Sequence, residues 1–296
     1  MIDLGLQGKV ALITGANSPY GIGAAAARAF AAQGAVVFIS YLRQRIDLSP
    51  QAAKAPGLAD VPGEAFYQAA QQLTAESVVG AIRAAGGRVE AIEADLANPA
   101  SVPMLFDRAE QTFGPVEVLI NNAAYCVPDT FIPAPQLGAD VRAAGGAVLA
   151  PITAENHDRH FAVNSRAVAL MIGEFARRHV ARGAAWGRII NISTDGASGF
   201  ASEISYGASK YALESYSRAA AKELGQFGIT VNVMSLGPIQ TGWIAPELER
   251  SVERHTPLGR AGRPEDVADA MLLLVAEQAR WITGQVIYVG GGHRMV

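Results

Sequence analysis

In Tyr206-Gly-Ala-Ser-Lys210 a phenol and an ammonium stand four residues apart, downstream of a hydroxyl pair, Ser193-Thr194, that ends an apolar run. On a helix, positions i and i+4 share one face, so both groups point into the same space. A cation there favours phenolate over phenol and lowers a pKa that is ordinarily about 10. Such a tyrosine donates or accepts a proton near neutral pH, and a hydroxyl beside it adds a second donor for an oxygen gaining charge. The spacing alone arises by accident on many surface helices, so its meaning depends on the rest of the chain.

A second chemical signal lies near the start. Thr14-Gly15-Ala-Asn17-Ser18-Pro-Tyr-Gly21-Ile22-Gly23 joins an apolar run to an Ala-rich one. Glycines let the backbone turn sharply and approach a ligand closely. A helix beginning after Gly23 offers unpaired N–H groups and its positive dipole end to a pyrophosphate. Gly21-Ile-Gly23-Ala-Ala-Ala26 also satisfies G-x-G-x-x-A, which in a strand–turn–helix context points to a dinucleotide. No Gly-Lys-Ser/Thr follows, which excludes a P-loop. Where a carboxylate would bind the ribose 2′-hydroxyl of NAD, the chain reads Ser40-Tyr41-Leu42-Arg43, with Arg45 close by. A 2′-phosphate would gain a cation there, so NADP(H) is favoured over NAD(H).

These groups need a scaffold. Short β-branched runs alternate with Ala-rich stretches, the pattern of a parallel sheet covered by helices. Strands are expected at Val10–Thr14, Val36–Tyr41, Val89–Ala94, Val116–Asn121, Arg188–Ser193, Thr230–Ser235 and Gln285–Val289. Helices are expected at Gly23–Gln33, Thr74–Ala85, Val102–Phe113, Asn156–Ala181, Tyr206–Gln226 and Pro264–Val275. Right-handed crossovers make this one doubly wound α/β domain over 1–296, with a seven-stranded parallel sheet and helices on both faces. Two Pro- and Gly-containing stretches, about 43–72 and 128–151, interrupt the rhythm and read as surface insertions, because elements of the same sheet flank each.

Composition narrows the function classes. Half of the 296 residues are hydrophobic and 17% are charged, which excludes disorder. A formal net charge of −3 gives no general attraction for nucleic acid or acidic membranes. No apolar run is long enough to span a bilayer, and Asp3 stands where the basic region of a signal peptide belongs. The lone Cys126 cannot form an internal disulfide and reads as a half-buried thiol rather than a nucleophile. A cytoplasmic protein is expected. His157 and His160 have H-x-x-H spacing but no third ligand nearby, so no metal site is expected.

Taken in order, the motifs resemble the short-chain dehydrogenase/reductase family, and within it 3-oxoacyl-[acyl-carrier-protein] reductase-like members. The matching residues are Thr14-Gly15…Gly21-Ile22-Gly23, Asp95-Leu96, Asn121-Asn122-Ala123-Ala124, Asn164, Gly187…Ser193-Thr194, Tyr206…Lys210, Gly237-Pro-Ile-Gln-Thr241, Gly262-Arg-Pro-Glu-Asp266 and Gly284…Gly292. The resemblance covers nearly the whole chain apart from the two insertions. It implies a Rossmann-type fold and NADP(H)-dependent interconversion of a ketone and a secondary alcohol, with Tyr206 as general acid/base. It also implies a homodimer or homotetramer. Gly15, Asn17, Ser18, Gly21, Ile22 and Gly23 would hold the pyrophosphate, Tyr41 and Arg43 the adenosine ribose, and Asp95 with Leu96 would flank the adenine. Asn121 and Ala123 would line the coenzyme, and Gly237, Ile239 and Thr241 its nicotinamide end. Lys210 would bond the nicotinamide ribose while acidifying Tyr206, and Asn164 would anchor a water in a proton relay.

The chain departs from the family pattern in the longer glycine turn, in Ala124 and in Leu236 before Gly237. Counting thirteen back from Tyr206 gives Ser193 as the second hydroxyl, whereas counting forward from Gly187-Arg188 gives Thr194; adjacent strand residues face opposite sides, so one of the two does the work. Trp243 either lines an apolar pocket or is ordinary packing. A nucleotide-sensing protein that binds NADP without turnover is the alternative class, and such family members usually lose the tyrosine or the lysine.

Overall fold

The computed structural model describes residues 3–44, 61–137, 141–143 and 146–294. Arg45 and the rest of 45–60 lie outside these, as do 138–140 and 144–145 of the second insertion. Seven parallel strands form the main sheet: β1 (Val10–Thr14), β2 (Val36–Tyr41), β3 (Arg88–Glu93), β4 (Val116–Asn121), β5 (Gly187–Thr194), β6 (Ile229–Leu236) and β7 (Val286–Val289). Their order is β3-β2-β1-β4-β5-β6-β7. The chain moves outward from β1 to β3, then returns to the other side of β1 with β4. That reversal opens a crevice at the carboxyl ends of β1 and β4, where ligands of such sheets bind.

Burial on both faces explains why the strands read as unbroken apolar runs rather than alternations. Every residue of β1 and β6 is buried. One face packs on α1 (Ile22–Ala32), α3 (Glu76–Ala84) and α9 (Pro264–Val275), through Phe30, Val78, Ile82, Val267 and Met271. The other packs on α4 (Ser101–Phe113), α6 (Ala167–Ala181) and α7 (Ile204–Leu224), through Phe106, Met171, Phe175 and Leu213.

The helix expected as one element over Asn156–Ala181 is broken. It begins as α5 (Ala154–Phe161), where the Thr153 hydroxyl caps the Asn156 N–H, passes through a π turn at Ala162–Arg166, and continues as α6. Such single-turn π segments put an extra residue into the helix and re-aim side chains. Two helices arise where none is expected: α2 (Glu64–Gln71), inside the first insertion, and α8 (Pro246–His255). Pro246 at the first turn, Glu247 and Glu249 behind it, and Arg254 with His255 at the far end are the local signals that support α8. In the second insertion Asp129–Thr130 pairs in parallel with Ala150–Pro151. Among the described residues no helix is long and apolar enough to cross a membrane.

Candidate active site

The glycine turn is bound to the sheet by side chains of neighbouring strand ends. The Thr14 hydroxyl accepts the N–H groups of Asn122 and Ala123 at 3.0 Å each. The Asn122 amide donates to the carbonyls of Thr14 (2.9 Å) and Gly15 (3.0 Å). Gly15 has φ +73°, and a Cβ there would stand 2.7 Å from the Ala123 Cα; one on Gly23 would collide with the Gly15 carbonyl. Only glycine permits this fold-back. The first turn of α1 carries no side-chain cap and no acidic residue. The buried Ser18 hydroxyl has no protein partner. A cradle that side chains would fill, uncapped helix N–H groups and an orphaned hydroxyl fit a dinucleotide pyrophosphate.

Several residues expected at the coenzyme are engaged elsewhere. The Asn17 amide donates to the carbonyls of Gln71 (3.3 Å) and Leu73 (2.9 Å), so its side chain fastens the first insertion instead of facing a ligand. Asn121 is buried and donates to Asn191 at 2.8 Å; Asn191 donates in turn to Ser217 at 2.8 Å. That chain joins β4, β5 and α7, and it makes the Asn121 side chain structural. The Asp95 carboxylate holds the Ala97 N–H (2.8 Å) and Arg159 (3.0 Å), with Leu96 buried beside it. At the end of β2, next to Tyr41, the Arg43 guanidinium forks onto Glu93 at 2.8–3.1 Å. The cation intended for a phosphate therefore has an exposed carboxylate partner already.

Strand β5 is zipped to α7 with the period of two that a strand imposes. Asn191 bonds Ser217, and Ser193 donates to Glu214 at 2.8 Å, both pairs buried. Between them, the Ile192 carbonyl accepts from Lys210 Nζ at 2.7 Å. Lys210, Glu214 and Ser217 recur at helical spacing and so present one face of α7 to the strand. This separates the two hydroxyls. Ser193 faces α7 and is held by Glu214. Thr194 faces the opposite way at the strand end, where its hydroxyl accepts the N–H of Gly196 at 3.3 Å.

Lys210 is 1% exposed, and burial pulls its ammonium down to about 8. Its Nζ lies 5.8 Å from the centre of the Tyr206 ring. The expectation of an acidified phenol is reversed: burial, followed by the charges of Cys126, Glu203, Tyr67 and Asp195, pushes Tyr206 well above its ordinary value. Desolvation penalises phenolate, and the neighbouring charges that act on it most are negative. Asn164, on the π turn, donates to the Tyr125 carbonyl (2.8 Å) and the Ser209 hydroxyl (3.0 Å) and accepts the Tyr125 N–H (2.8 Å). Both amide hydrogens are committed to protein, so its side chain holds the backbone of Tyr125 against α7.

The nicotinamide-side residues expected from the sequence form a tight junction. Gly237 donates its N–H to Val289 at 3.3 Å, and a Cβ on it would stand 2.8 Å from the Gly290 Cα. Ile239 is buried and its carbonyl accepts from the N–H of Thr241 (2.9 Å) and the indole of Trp243 (2.8 Å). Trp243 packs with Ile244, Val252 and Ala261 in a satellite core, the bland one of its two readings. Beyond β7, His293 Nδ1 meets Asp195 at 2.7 Å, and Arg294 donates to the Asp195 carbonyl at 2.6 Å.

Sequence reasoning missed an acidic flank. Cys126 is exposed rather than the half-buried thiol expected; it donates to Glu203, just before α7, at 3.5 Å, and desolvation pushes both groups upward. Buried Asp129 bonds the Ser205 N–H at 3.0 Å. Ser202, with φ +68°, is the sole non-glycine residue of positive φ among those described, and it bends the chain into this corner. None of these residues sits in a recognisable motif. His160, half of the H-x-x-H pair, lies buried and accepts the Val127 N–H at 3.2 Å.

Comparison with known proteins is consistent with this arrangement. Residues 63–294 match the family model described as enoyl-(acyl carrier protein) reductase. A protein of Picea abies called a short-chain type dehydrogenase/reductase is 34% identical, over 97% of this chain and 93% of that one. NADPH-dependent aldehyde reductase 2, chloroplastic, of Arabidopsis thaliana is 32% identical, over 97% and 94%. Among solved structures, a blue fluorescent protein from a metagenomic library in complex with NADPH superposes with TM-score 0.73 at 30% identity, covering 98% of this chain and 99% of that one.

The zip between β5 and α7 has a direct test. Ser193→Ala removes a donor from a buried carboxylate and is expected to cost about 1–2 kcal/mol in urea unfolding, while leaving any activity of the folded protein near the wild-type rate.

Proposed function

The chain belongs to the short-chain dehydrogenase/reductase family and is an NAD(P)-dependent oxidoreductase, and we propose that it works as an NADPH-dependent reductase of ketones or aldehydes. The observation that carries this reading is the bond from Lys210 to the Ile192 carbonyl, which sets the first turn of α7, with Tyr206, against the end of β5, where Thr194 stands clear of the bond that holds Ser193. A phenol kept protonated at neutral pH is a proton donor, which suits the direction from carbonyl to alcohol.

Gly15, Ser18 and the first turn of α1 would hold the pyrophosphate, Ala123 and Ile239 would line the dinucleotide, and Lys210 would orient its nicotinamide ribose. The bound coenzyme supplies the hydride. The protein's own part is electrostatic. Tyr206 and Thr194 donate hydrogen bonds to the substrate oxygen, stabilise the charge that builds there, and Tyr206 gives up its proton. Lys210, charged below about 8, then offsets the phenolate that remains. Asn164 and Glu214 act through others, keeping Tyr125 and β5 in place.

The preference for NADPH rests on three supports: no acid in the 40–43 segment itself, Arg43 at its end, and the NADPH named with a relative and a solved neighbour. The exposed pair of Arg43 with Glu93 is weak enough to exchange for a doubly charged phosphate.

Loss of NADPH absorbance over a panel of ketones and aldehydes tests the activity. In that assay Tyr206→Phe is expected to abolish turnover while NADPH still binds by fluorescence titration, and Thr194→Val to lower kcat by about 10²-fold. Near wild-type rates in Tyr206→Phe with coenzyme bound would remove it from the mechanism. Carbonyl reduction should be level through neutral pH and fall as pH rises through about 8, where Lys210 discharges; a profile that climbs across this range contradicts the assignment. Arg43→Ala should raise the KM for NADPH by about tenfold and leave that for NADH nearly unchanged.

A further inference from the structure

Helix α2, inside the first insertion, is fastened across the crevice at both ends. At its start the Gly63 N–H donates to the Gly242 carbonyl at 2.7 Å, in the segment that follows β6. Gly242 has φ +98°, and a Cβ on it would stand 2.5 Å from the Phe66 ring. The opposite side of that ring meets the glycine turn: Phe66 and Tyr20 pack with centroids 4.8 Å apart at 58°. At its far end Asn17, also in the glycine turn, holds the carbonyls of Gln71 and Leu73 at 3.3 and 2.9 Å. A third fastening comes from the second insertion, where Arg142 reaches Glu64 at 3.5 Å and donates to the Gly146 carbonyl at 2.6 Å. The two insertions therefore meet over the same cleft.

Tyr67 follows Phe66 one position further along α2. Its phenol shares surroundings with Cys126 and Glu203, and it is itself one of the groups whose charge bears on Tyr206. A helix held at start, middle and end keeps its height above the sheet, so a side chain projecting from its underside limits what fits below. The wall beneath is acidic and aromatic. Glu203 and Asp195 bear on the Tyr206 phenol, and the Phe200 ring stands 6.2 Å from the Tyr206 ring. A substrate carboxylate placed there would be desolvated beside the Glu203 carboxyl, while Asp195 already has His293 as its partner, which disfavours it.

We propose that α2 is the roof of the substrate cleft, that Phe66 anchors it between the glycine turn and Gly242, and that Tyr67 selects compact, uncharged carbonyl compounds over bulky or anionic ones. This rests on the carbonyl-reductase reading above. In the test, cyclohexanone (compact), 1-adamantyl methyl ketone (bulky) and pyruvate (anionic) are offered with NADPH to the wild type and to Tyr67→Ala, Tyr67→Phe and Phe66→Ala. Tyr67→Ala should raise kcat/KM for the bulky ketone relative to cyclohexanone by about tenfold or more, with the NADPH Kd unchanged. Tyr67→Phe, which keeps the ring, should retain the wild-type selection, and pyruvate should be the poorest substrate throughout. An equal fall for all three compounds in Tyr67→Ala, or pyruvate as the best substrate, overturns the proposal. If the wild type reduces no carbonyl at all, it is the activity reading that fails. The roof is still tested by stopped-flow NADPH release, which Phe66→Ala should quicken by about tenfold; unchanged release removes α2 from the cleft.

Discussion

A buried ammonium whose hydrogen bond goes to a carbonyl instead of a carboxylate organises this molecule. Desolvation opposes the charge on Lys210 strongly enough to bring it to about 8. The peptide dipole of Ile192 offsets part of that cost, and only while β5 and α7 keep their register. The flanking bonds from Asn191 to Ser217 and from Ser193 to Glu214 enforce the register on either side. Because a strand alternates, fixing three consecutive residues this way leaves Thr194 pointing the other way. One constraint thus selects the hydroxyl, places the cation and sets the first turns of α7 against the strand end.

The opposite wall of the crevice is held by a different principle. There the backbone itself lines the crevice, and side chains keep it folded back. Thr14 and Asn122 tie the ends of β1 and β4 to each other, and glycine at 15 and 23 is required because any larger residue would meet main-chain atoms. The two walls differ in what a mutation does to them: at β5 it leaves a charge unpaired, whereas at β1 it moves the backbone.

Much of this was legible in the sequence. The seven apolar runs became the seven strands within one or two residues, because doubly buried strands leave an unmistakable signature. The Tyr206/Lys210 spacing and the glycine turn also stand where the motifs put them. What escaped reading depends on partners far away in the chain. Nothing local tells Asn17 to bond residue 71, Arg43 to bond Glu93, or Ser193 to bond Glu214. The acidification expected of Tyr206 failed for the same reason: Lys210 is visible four residues away, but Glu203, Tyr67 and Cys126 converge from three other segments. Helix α2 was masked by the prolines and glycines around it, although Gly63 followed by an acidic first turn is a local start signal.

The contact of His293 with Asp195 joins residues 98 positions apart. Asp195 directly follows Thr194, so the segment beyond β7 steadies the turn at the end of β5. Such a contact closes only after β7 has docked on β6, and long-separation contacts of this kind are slow to form. During synthesis both walls of the crevice therefore wait for the C-terminal segment: α9 must arrive to pack on α1, and His293 reaches Asp195 only once β7 is in place.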